Sequence, residues 1–132
     1  MSQENAKLVR ESVRRFAAGD LSGLASLYAP DIAIVAPPGW PEGGRFEGRD
    51  AVISQLTRAQ EDWASQAMEI QKERAGGDWV VLEILWSVEG KGSGASTQIT
   101  VIAAARVAGA LIGEILYFWD WNDALKAAGL KE

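Results

Sequence analysis

The sequence predicts an α+β fold in which helices come first and a strand meander follows. Apolar residues recur at helical spacing in three segments of the first half, whereas the second half holds four long apolar or alternating runs. Glycine and proline punctuation falls between these segments and not inside them.

In the first helix, Leu8, Val9, Val13, Phe16 and Ala17 share one face, then Gly19 stops the helix and Asp20 offers an N-cap for a second one over residues 21–28. Pro30 ends that helix, and residues 31–36, Asp-Ile-Ala-Ile-Val-Ala, read as a short strand at a sheet edge, closed by Pro37-Pro38. Residues 37–49 are too rich in proline and glycine for regular structure, yet carry Trp40 and Phe46, so they read as an ordered loop with aromatic anchors. The third helix, residues 50–64, places Val52, Ile53, Leu56, Ala59 and Trp63 on one stripe.

Strands over residues 68–75 and 79–89 flank Gly76-Gly77-Asp78, a hairpin turn tolerant of positive φ. Residues 91–95 join to a strand at 96–107, and 108–110 join to one at 111–121. A helix at 122–128 with Gly129 as its C-cap closes the chain. No repeat or linker interrupts the pattern, so residues 1–132 read as one domain.

Composition narrows the function. Thirteen Lys and Arg against 18 Asp and Glu give a net charge of −5, which repels a phosphate backbone and argues against nucleic acid. The basic cluster Arg10, Arg14 and Arg15 encloses Glu11 and reads as a solvated helix face. With no cysteine and no histidine, thiol nucleophiles, imidazole bases and the usual zinc or copper ligand sets are absent, so no metal or other cofactor is expected. The first residues lack the apolar core of a signal peptide. The most hydrophobic stretch, residues 101–116, is broken by Arg106, Gly109, Gly113 and Glu114, which argues against a membrane span and for a cytoplasmic protein.

The element order resembles the SnoaL-like branch of the nuclear transport factor 2-like superfamily. The segments that carry the resemblance are Ala18-Gly-Asp-Leu-Ser-Gly-Leu24 with Leu27-Tyr-Ala-Pro-Asp31, Pro37 through Val52, and Tyr117-Phe-Trp-Asp120 with Ala124-Leu-Lys-Ala-Ala-Gly129. It implies a cone: three N-terminal helices packed on a strongly curved, mainly antiparallel sheet, a short C-terminal helix, and an apolar pocket inside. The family's chemistries differ, so function rests on single positions. Where ketosteroid isomerase carries its base, tyrosine and protonated acid, this chain has Ala36, Ser12 and an alanine among Ala103 to Ala105. Where limonene epoxide hydrolase has an Arg and an Asp two residues apart, it has Glu83 and Leu85, and scytalone dehydratase requires histidines. The surviving pattern is that of the SnoaL-like polyketide cyclases, with an acid near the end of the sheet.

Asp120 is that acid and the expected catalytic residue, because a carboxylate on an apolar strand is desolvated and drawn toward the pKa range of proton transfer. It stands two residues before a helix, where aspartate is equally a preferred N-cap. The expected substrate contacts are Trp40, Glu83, Trp86, Gln98, Thr100, Tyr117, Phe118 and Trp119. Glu83, Gln98 and Thr100 read equally as the wet face of an antiparallel sheet. Leu116 and Phe118 share a face with Asp120 if the last strand alternates, leaving Trp119 and Trp121 on the other. Six of the 11 aromatic residues are Trp, suited to lining a pocket or to burying a sheet face against a second subunit.

The expectation is a cofactor-free enzyme, or else a ligand carrier or assembly module, that takes a hydrophobic small molecule and dimerises through its sheet face. The reaction would be an isomerisation, cyclisation, dehydration or hydrolysis. The Gly43-Gly44-Arg45 element lacks phosphate-loop spacing and reads as a loop over the cavity mouth.

Overall fold

A computed structural model describes residues 2–40, 44–92 and 94–131. Its elements are α1 (Ser2–Ala17), α2 (Leu21–Ala25), β1 (Tyr28–Val35), β2 (Arg45–Glu47), α3 (Arg49–Glu61), β3 (Trp63–Gly76), β4 (Trp79–Gly90), β5 (Ser96–Ala108), β6 (Leu111–Phe118) and α4 (Trp121–Ala128). The strands form one six-stranded sheet in the order β2-β1-β6-β5-β4-β3, antiparallel except where β1 runs parallel to β6.

Four local readings shift. Helix α2 stops at Ala25 and Tyr28 already belongs to β1, because the β-branched run pairs with β6 from its first residue. Strand β1 is internal, and the edge is β2, formed by Arg45, Phe46 and Glu47 inside the segment expected to be irregular. Trp63 opens β3 instead of closing α3. Strand β6 ends at Phe118, three residues before its expected limit, because Asp120 starts the next helix.

Alternation along β4, β5 and β6 sorts side chains to two faces. The concave face receives Val80, Leu82, Ile84 and Trp86 from β4, Val101, Ala103, Ala105 and Val107 from β5, and Ile115 and Tyr117 from β6. It packs against Ala6, Val9, Val13 and Phe16 of α1 and Val52, Ile53 and Leu56 of α3. Each fully buried Val, Leu or Ile in this layer contributes roughly 1.5–3 kcal/mol. Register shifts in the β3–β4, β1–β6 and β5–β6 pairs add local bends that curve the sheet around α1 and α3.

The convex face carries a second core. Val81, Ile102 and Ala104 pack under Ala124, Leu125 and Ala128 of α4, flanked by Trp79, Leu116, Phe118, Trp121 and Leu130. For this stretch of sheet, α4 supplies from within the chain the cover that the sequence led us to expect from a second subunit.

The β5–β6 turn places both Gly109 (φ 60°) and Ala110 (φ 64°) in the left-handed region, the geometry of a tight hairpin turn. An L-residue there costs roughly 1–2 kcal/mol that glycine avoids, less glycine's larger entropy loss. Ala110→Gly is therefore expected to stabilise the fold by about 0.5–1 kcal/mol in urea denaturation. A loss of stability would show that the turn has a different backbone.

Candidate functional site

The interior near the β4–β5 end of the cone is an aromatic ladder. Trp86, only 8% exposed, is its hub. The Trp63 ring meets it edge-on at 4.6 Å between centroids, Phe16 lies at 6.1 Å, and Trp40 stacks on it at 6.1 Å with 18° between planes. Trp119, 44% exposed, lies at the rim of this group, 6.0 Å from Trp40 with its plane tilted by 37°. Such pairs are worth roughly 0.5–1.5 kcal/mol each beyond the area they bury.

Hydrogen bonds hold the ladder in place. The Trp86 indole donates to Gln66 Oε1 at 3.0 Å, while the Gln66 and Gln60 amides donate to the Phe16 carbonyl at 2.8 and 3.1 Å. An end carbonyl of α1 is thereby satisfied, as helix termini require. The Trp119 indole donates to the Pro38 carbonyl at 2.7 Å, latching the β1–β2 connection to β6.

Two phenols add polarity to the same core. Tyr28 is buried at 4% exposure, and Tyr117 packs against the buried cluster from β6. Burial pushes Tyr28 well above the ordinary tyrosine range, reinforced by the charge that an ionised Tyr117 would place nearby; burial alone pushes Tyr117 up to about 12. Both are neutral hydroxyls at physiological pH, able to donate a hydrogen bond and unable to act as bases.

The carboxylates lie elsewhere. Asp120 is exposed and N-caps α4, its carboxylate accepting from the Asp123 amide at 3.0 Å. Of its two readings, the cap is the one the structure displays: β6 ends at Phe118, and Asp120 stands at the N-terminus of α4, the helix that covers the convex face. Glu83, Gln98 and Thr100 are also convex, since Glu83 pairs with Ile102 and Lys72, Gln98 with Ser87, and Thr100 with Leu85. Gln98 donates to Ser87 Oγ at 3.3 Å on that outer face. Phe118 packs under α4. Of the expected contacts, Trp40, Trp86 and Tyr117 are on the concave side with Trp119 at its rim, and Glu83, Gln98, Thr100 and Phe118 are on the other.

Phe16, Trp63 and Tyr28 complete the interior and were not singled out beforehand. Phe16 and Trp63 read only as helix-stripe residues, and Tyr28 was placed in α2. Ser12 donates to the Val9 carbonyl at 2.6 Å, an ordinary bond within a helix turn. Arg45 pairs with Glu47 at 2.6 Å on the convex side of β2.

Two recesses lie outside the cone. One of about 650 Å³ runs between α1 and the β5–β6 turn, past Glu4, Lys7, Glu11, Arg15 and Asp78. The other, about 310 Å³, sits on the convex face among Asp31, Arg45, Arg106 and Glu114. Both mix acids with bases; Glu11, for instance, is held down to about 2 by Arg14 and then Arg15. Among the described residues no group of three or more His, Cys, Asp or Glu is arranged to hold a metal ion. No helix among them is long and apolar enough to cross a membrane.

Residues 9–115 match the family described as SnoaL-like domain. The chain belongs to that family. No curated protein matches its sequence. Solved structures share the fold: RV0760c from Mycobacterium tuberculosis, in complex with estradiol-17beta-hemisuccinate, is 20% identical with a TM-score of 0.77, covering 92% of this chain and 97% of its own. An epoxide hydrolase of M. tuberculosis resembling limonene epoxide hydrolase is 17% identical, with a TM-score of 0.76 and coverage of 96% and 90%. A hypothetical protein with a ketosteroid isomerase-like fold from Catenulispora acidiphila, in complex with trimethylamine, is 19% identical, with a TM-score of 0.75 and coverage of 94% and 93%. The chain thus has the nuclear transport factor 2-like fold.

Two outcomes test this geometry. Asp120→Ala is expected to cost about 1 kcal/mol in thermal or urea unfolding and Asp120→Asn much less, since asparagine caps as well as aspartate; equal losses would show a role beyond the cap. For the phenols, the unfolded chain releases its Tyr117 proton near pH 10.0 while the folded chain keeps it to about 12. Stability is therefore whole below pH 10 and falls by on the order of 2 kcal/mol as pH rises toward 12. Tyr28, also raised by burial, contributes to the same limb, so Tyr117→Phe should make it shallower without abolishing it, and an unchanged slope would place the Tyr117 phenol in water.

Proposed function

We propose that this SnoaL-like protein binds a hydrophobic small molecule inside the cone and that binding is its principal activity. One observation carries this reading: alternation turns aromatic rings and neutral phenols inward while Asp120 and Glu83 stand outside. An interior without a carboxylate holds an apolar ligand well and has little means of moving its protons. The ligands of two fold relatives, estradiol-17beta-hemisuccinate and trimethylamine, support the general use of such cones for small molecules.

A second reading, cofactor-free isomerisation, cyclisation, dehydration or hydrolysis, is favoured by the two phenols, Tyr28 and Tyr117, held in the concave core. Two neutral donors polarise a carbonyl or epoxide oxygen without any base. In that reading Asp120 is outside the reacting centre.

Titration with 1-aminoanthracene, a flat uncharged fluorophore, tests the first reading. Quenching of tryptophan emission with Kd of roughly 10 μM, about −7 kcal/mol, is expected, unchanged in Asp120→Asn. Unaltered emission up to the solubility limit of the probe would mean a filled cone with no usable pocket.

A further inference from the structure

We draw no further inference here: the strongest candidate, the pair of buried phenols that Tyr28 of β1 and Tyr117 of β6 place in the concave core, belongs to the candidate site already described and serves there as its pair of neutral hydrogen-bond donors.

Discussion

Period-two alternation along β4, β5 and β6 is the constraint on which the rest depends. A one-residue slip in any of these strands would turn Leu82, Ile84 and Trp86, or Val101, Ala103 and Ala105, to the other side of the sheet and bring Glu83 or Thr100 into the cone. The apolar burden of the concave face forbids that slip. Leu82 and Ala105 are sealed from solvent there, and Val81 and Ala104 are sealed under α4 on the opposite face. With both faces buried at the middle of the sheet, register has no cheap alternative.

That constraint explains both the chemistry and the shape of the candidate site. Inward positions carry rings and small aliphatics, and the polar groups among them include phenols, whose protons burial holds fast, and the Gln66 amide paired with the Trp86 indole. Outward positions carry Glu83 and Asp120, and a helix terminus gives Asp120 a structural task. Alanines at 103 and 105 leave the middle of the concave floor low, while tryptophans rise at the end where β4 and β6 meet the β1–β2 connection. At that end the connection sets Trp40 against Trp86 and Trp119.

Much of this was legible in the sequence. Helix stripes, the Gly77 and Gly109 turns, the meander order and the Gly129 cap follow from local chemistry, and those elements fall within a few residues of their expected limits. Two kinds of feature were not legible. Short pairing such as that of β2 depends on a neighbour supplied by β1, which no property of Arg45-Phe46-Glu47 announces. The face of an isolated carboxylate depends on which of two apolar layers lies on each side, and here both faces are greasy, so Glu83 and Asp120 sat in equally hydrophobic sequence whichever way they pointed. Trp40, Trp86 and Trp119, far apart in the chain, form one run of ring contacts at 6.1 and 6.0 Å.

The tryptophans divide into Trp40, Trp63 and Trp86 on the concave side with half-exposed Trp119 at its rim, and Trp79 and Trp121 on the convex face. Fluorine NMR of protein labelled with 5-fluorotryptophan, assigned by single replacements and titrated with a flat apolar compound, reads that division directly. Movement of the Trp40, Trp86 and Trp119 resonances with Trp79 and Trp121 stationary is the predicted result. Movement of Trp79 and Trp121 alone would put the ligand on the outer face and contradict it.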